Sequence, residues 1–124
     1  MDTRSKILKV EAALQLPPPL TVVTGYFDVL RAAHVRDLER ARSLDPERPL
    51  LAVVLAGTGA LLDQRARAEL VAALRVVDYV VTADERDLDC IVATFPTSQP
   101  VRLEAADERR AAELMEHVRR RQGR

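Results

Sequence analysis

With 124 residues, 48% of them hydrophobic, the chain is expected to form a single domain over residues 1–124, with no room for a second core. Nineteen basic residues balance nineteen acidic ones, so no whole-protein field draws the chain to nucleic acid or to an anionic membrane, and neither is expected as a partner. Leu50 to Leu62, the longest nearly apolar stretch, is broken by Gly57-Thr58-Gly59 and is too short to span a bilayer. The lone Cys90, set among Leu88, Ile91 and Val92, cannot form an internal disulfide and reads as a small buried residue, which fits a cytoplasmic location.

Residues 4–16 place Ile7, Leu8, Ala12, Leu14 and Leu16 among polar positions, predicting a short leader helix that the connector Pro17-Pro18-Pro19 ends. Leu20 to Phe27, rich in β-branched residues and closed by Gly25, predicts the best strand in the chain. A helix follows from about residue 32 to Leu44, with Val35, Leu38, Ala41 and Leu44 on one face and Asp45-Pro46 as its stop. Leu50 to Ala56 is an unbroken apolar run, the pattern of a parallel strand covered on both faces. A helix over about Asp63 to Arg75 has Ala66, Leu70, Ala73 and Leu74 at helical spacing, and a strand follows at Val77 to Thr82. The chain then predicts a helix from Ala83 to Thr94, a short strand near Val101 to Leu103, and a last helix from Asp107 to Arg121 with Asp107 as its N-cap. Strands alternating with helices at this interval imply an α/β fold of Rossmann-like type: a doubly wound parallel sheet of about four or five strands with helices on both faces.

One stretch carries chemistry. Residues 25–34 read Gly-Tyr-Phe-Asp-Val-Leu-Arg-Ala-Ala-His, a strand end, a loop and the start of a helix. They resemble the phosphate-binding signature Gly-x-Phe-Asp-x-x-His-x-Gly-His of cytidylyltransferase-like nucleotidyltransferases. Gly25, Phe27, Asp28 and His34 match, while Arg31 stands at the first histidine position and Ala33 at the glycine position. The likeness extends over roughly residues 6–83, through Lys6-Ile7-Leu8, Leu38 to Arg42, and Arg67 to Val81; it is closest to the nucleotidyltransferase domain of ADP-heptose synthases and to glycerol-3-phosphate cytidylyltransferases.

The resemblance implies in-line attack by a sugar or polyol phosphate on the α-phosphorus of CTP or ATP, with Mg²⁺ accompanying the nucleotide if the chain is active. Such chemistry leaves the protein to position the reactants and to spread donors around a charged transition state. A helix N-terminus supplies such donors. The resemblance therefore implies His34 as the catalytic residue, with Gly25, Tyr26, Phe27, Asp28, Arg31, His34 and Arg67 around the nucleotide or phosphate. For Arg67 a solvent-facing or salt-bridging role stands beside that one. The resemblance implies no protein-held metal, and it allows a homodimer.

Departures from the pattern bear on catalysis. Arg31 cannot put a donor where an imidazole nitrogen sat, nor donate a proton, and Ala33 adds a methyl where bare backbone would meet the nucleotide. The loop after the second strand is short and uncharged, and Gly57-Thr58-Gly59 lacks the lysine and spacing of a P-loop. Glu104-Ala105-Ala106-Asp107-Glu108 replaces the Ser/Thr-rich turn that holds the distal phosphates in the family; Thr97-Ser98 reads as an ordinary loop, and His117 as a solvated side chain. The expectation is a degenerate member, a pseudoenzyme candidate that binds nucleotide or phosphate with weak or lost catalysis. The alternatives are an active transferase with altered ligands and a non-catalytic scaffold.

Overall fold

A computed structural model describes residues 2–57, 60–95 and 100–122, the side chains of Asp107, Arg110 and Ala111 excepted. Five strands, β1 (Ile7–Leu8), β2 (Thr21–Gly25), β3 (Leu50–Leu55), β4 (Tyr79–Ala83) and β5 (Val101–Arg102), form one sheet in the order β1-β4-β3-β2-β5. Every pairing is parallel. The helices are α1 (Val10–Ala13), α2 (Ala32–Ser43), α3 (Gln64–Ala72), α4 (Glu85–Thr94) and α5 (Glu104–Gln122).

The sheet is covered on both faces, as the apolar run of β3 demands, and all six β3 residues are buried. On one face Val23, Ala52, Val54 and Val80 meet Leu38 and Ala41 of α2 and Ala68, Val71 and Ala72 of α3. On the other, Val22, Leu51, Val53 and Val81 meet Ala13 of α1 and Leu88, Ile91 and Phe95 of and just after α4. This is a Rossmann-like α/β fold. From β2 the chain steps outward through β3 and β4, then returns past β2 to β5 on its other side. The strand order thus reverses at β2, and the crevice at the carboxyl ends of β2 and β5 is the switch point where such sheets take ligands.

Several local expectations need correction. The leader is not one helix over residues 4–16: a 3-10 turn (Thr3–Lys6) leads into β1 on the sheet edge, and α1 ends at Ala13, ahead of the prolines. The buried face of α3 is Arg67, Ala68, Val71 and Ala72, rotated from the expected one, with Leu70 43% exposed. Leu44 lies at the end of α2 and is 76% exposed rather than part of its core face. Cys90 is exposed because α4 turns Leu88 and Ile91 inward. Helix α5 starts at Glu104, directly after the Leu103 N–H has bonded the Thr24 carbonyl at 2.8 Å, so Asp107 lies inside the helix and is not its N-cap. Thr97-Ser98 lies outside the described residues, as do Thr58 and Gly59.

Candidate anion site at the switch point

Gly25 closes β2 opposite Val54 of β3, and the next residues make the turn into α2. The left-handed conformation in that turn belongs to Phe27, at φ 51°, not to a glycine. For a bulky residue such a conformation costs about 1–3 kcal/mol and persists only where surrounding contacts impose it. Here the contacts are plain: the Phe27 ring is fully buried and lies 5.8 Å, centroid to centroid, from the His34 ring.

His34, in the first turn of α2, is 3% exposed. Its Nδ1 accepts the backbone N–H of Arg31 at 3.1 Å, closing the start of the helix in the manner of a capping box. Arg31 is the extended N-cap residue, and Ala33 sits in the helix with no positive φ to require glycine.

Beneath this loop lies Arg67, 2% exposed. Its Nε donates to the Leu62 carbonyl at 3.1 Å, Nη1 to those of Tyr26 at 2.8 Å and Leu55 at 2.7 Å, and Nη2 to that of Ala56 at 2.6 Å. The guanidinium is therefore neither solvent-facing nor engaged in a surface ion pair; it clamps the carboxyl ends of β2 and β3 to the approach to α3. Asp28 ties the loop after β2 to the approach to α3 as well, its carboxylate accepting the N–H groups of Leu61 at 2.8 Å and Leu62 at 2.9 Å. Two of the expected ligand residues thus hold the loops together through backbone groups.

The opposite wall is acidic. The Thr24 hydroxyl, on a fully buried side chain, bonds the Glu104 carboxylate. Partial burial first, and then the carboxylates of Glu108, Glu104 and Glu85, push the Tyr26 phenol above its ordinary pKa. Beside Tyr26, a cleft of about 300 Å³ is lined by Leu55, Ala56, Gly57, Ala83, Asp84 and Glu85. Gly57 keeps the cleft floor low: at φ 64° a side chain there would be strained, and its Cβ would stand 2.9 Å from the Tyr26 ring.

The structure thus gathers Gly25, Tyr26, Phe27, Asp28, Arg31 and His34 at one end of the sheet, with Arg67 buried beneath. The tie of Thr24 to Glu104 was not read from the sequence. A buried Thr in an apolar strand was the one available signal for it. His117 is exposed on α5, as expected. Among the described residues, no group of three or more His, Cys, Asp or Glu converges to hold a metal ion. No helix among them is long and apolar enough to cross a membrane.

No protein-family model matches the chain. It is 34% identical over 104 residues, 76% of its length, to the bifunctional protein HldE of Koribacter versatilis (strain Ellin345), and spans 21% of that relative. The crystal structure of the lipopolysaccharide core biosynthesis protein from Thermoplasma volcanium GSS1 shares the fold, with a TM-score of 0.54 and 22% identity, covering 66% of this chain and 93% of that one. Over the matched residues the chain resembles a cytidylyltransferase-like nucleotidyltransferase domain in sequence, and its Rossmann-like α/β fold is shared with a solved structure.

Proposed function

We propose that this domain binds a nucleotide or a phosphate-bearing small molecule at the N-terminus of α2, and that its nucleotidyl-transfer activity is weak or lost. The observation that carries the reading is the His34 ring, held through Nδ1 in the first turn of a helix whose dipole favours anions. The buried Arg67 cation beneath the same loop adds positive potential. The cleft beside Tyr26 suits a nucleoside, with the Asp84 and Glu85 carboxylates as acceptors for ribose hydroxyls. What Mg²⁺ would contribute is neutralisation of phosphate charge, and it would arrive with the nucleotide.

The same geometry supports weak or lost catalysis. Transfer to a phosphate acceptor needs cations or N–H donors around the distal phosphates as diphosphate leaves. Glu104 and Glu108 stand instead at the start of α5. Calorimetric titration with CTP, ATP and their monophosphates, with Mg²⁺ present, tests binding; the expected result is measurable affinity for at least one of them, reduced tenfold or more by His34→Ala. Diphosphate release with sugar and polyol phosphates is expected to stay at background. Turnover above background would establish an active transferase instead, and absence of all binding would leave a scaffold.

A further inference from the structure

The last rung of the ladder between β3 and β4 pairs Leu55 with Ala83, and beyond it both chains leave the sheet. The β3 side runs on through Ala56 to Gly57, while the β4 side enters α4 through Asp84, the N-cap of that helix. The cleft beside Tyr26 is the gap between these two walls. Its width is therefore set by whatever holds the walls where the ladder ends.

Two side chains from the first turn of α3 reach that place. Arg67 fixes the β3 wall by taking the Leu55 and Ala56 carbonyls. Gln64, the half-buried first residue of the helix, bridges the two strands: its Nε2 donates to the Val54 carbonyl of β3 at 2.9 Å and to the Ala83 carbonyl of β4 at 3.1 Å. Both partners are acceptors, so the side chain must face them with its amide nitrogen, whose two hydrogens serve one carbonyl each. An ionised glutamate of the same length has no hydrogen to give, and a methionine of similar bulk has none either. The cleft itself is lined by other residues, so Gln64 acts on an occupant through the walls and not by touching it.

Resting on the reading of this cleft as a nucleoside site, we infer that Gln64 is a positioning residue for the nucleoside. By tying Val54 to Ala83 it sets the spacing between residues 55–57, with the Tyr26 ring beside them, and residues 83–85. That spacing acts on the base and ribose and leaves a free phosphate unaffected.

Titration calorimetry with AMP, CMP and orthophosphate, at constant ionic strength and Mg²⁺, tests the assignment. The ratio of nucleotide to orthophosphate affinity reports what the nucleoside adds, and denaturant unfolding establishes that each variant is folded. The wild type is expected to favour the nucleotides by about tenfold or more, at a ratio that holds from about pH 7.5 to about pH 5.5. Gln64→Met, which removes both donors, is expected to lower the ratio by about tenfold throughout, with orthophosphate affinity unchanged. Gln64→Glu is expected to lower it as far near neutral pH, where a carboxylate opposes two carbonyl oxygens, and to recover in part with acid as the carboxyl takes a proton and regains one donor. A ratio unmoved in the folded variants, an equal fall for nucleotide and orthophosphate, or a Gln64→Glu ratio that does not recover with acid would overturn the inference and leave the nucleoside cleft standing. Wild type that binds the nucleotides no better than orthophosphate would remove the nucleoside from the cleft, and the inference with it. If no probe binds the wild type, the proposed function falls and takes this inference along.

Discussion

Arg67 shows how a single residue determines the shape of the site without facing its solvent. Four backbone carbonyls, from Leu62, Tyr26, Leu55 and Ala56, receive its N–H groups. Leaving a buried polar group unpaired costs about 1–3 kcal/mol, so Arg67→Met, which strips donors from four acceptors at once, is expected to destabilise the domain by more than about 3 kcal/mol. Urea unfolding measures this, and Arg67→Lys should recover only part, because an ammonium cannot span the same fan of acceptors. A loss below about 1 kcal/mol for Arg67→Met would mean that water replaces the clamp. The residues around the site were legible from the sequence, as Gly25, Phe27, Asp28 and His34 fell in one motif and came together in space. The use of Arg67 and Asp28 was not, because both act on carbonyl and N–H groups, which every residue carries and no sequence pattern marks. Phe27 was opaque for a related reason: its positive φ is imposed by ring burial against His34, where sequence reasoning looks for a glycine.

At the scale of elements, the Tyr26 phenol of the β2–α2 loop lies near carboxylates of two helices, Glu108 and Glu104 of α5 and Glu85 of α4. Burial, then the nearby carboxylates, raise the phenol pKa from its ordinary value of 10.0. A group whose pKa is higher in the folded state than in the unfolded chain stabilises the fold fully below the unfolded value and loses that contribution as pH rises through the folded one. The stability advantage of wild type over Tyr26→Phe should therefore be constant near neutral pH and shrink above about pH 10. Denaturant unfolding across that range checks it, and the difference in ultraviolet absorbance between the two proteins should place the Tyr26 transition above the normal range. The long elements were legible because periodicity is a signal that grows with length: β2, β3, α2 and α4 lie within a few residues of their expected bounds. The two-residue β1 was not, since two residues have no period, and its pairing of Ile7 with Val80 is decided by an open sheet edge far away in sequence. The face of α3 was misjudged because a charged Arg67 was counted as polar when its clamp turns it inward.

Across the whole molecule, the candidate site is no separate module but the place where the sheet's strand order reverses, so occupancy and global stability are linked. The core continues on both faces of β3 up to the carboxyl ends, with Leu55 only 3% exposed beside the carbonyl that Arg67 holds. An anion bound there by native geometry, and not by the unfolded chain, stabilises the fold by RT ln(1 + [L]/Kd), about 2.7 kcal/mol when the ligand exceeds Kd a hundredfold. For a domain near this size each kcal/mol shifts Tm by roughly 2–8 °C. Raising orthophosphate at constant ionic strength should therefore lift Tm in a saturable way, while chloride at the same ionic strength should not. His34→Ala should flatten the phosphate dependence without abolishing cooperative unfolding, because the rest of the core is untouched. Equal slopes for phosphate and sulfate in both proteins, with no approach to saturation, would instead be the signature of salts excluded from the whole surface, and would leave the end of the sheet without a specific anion.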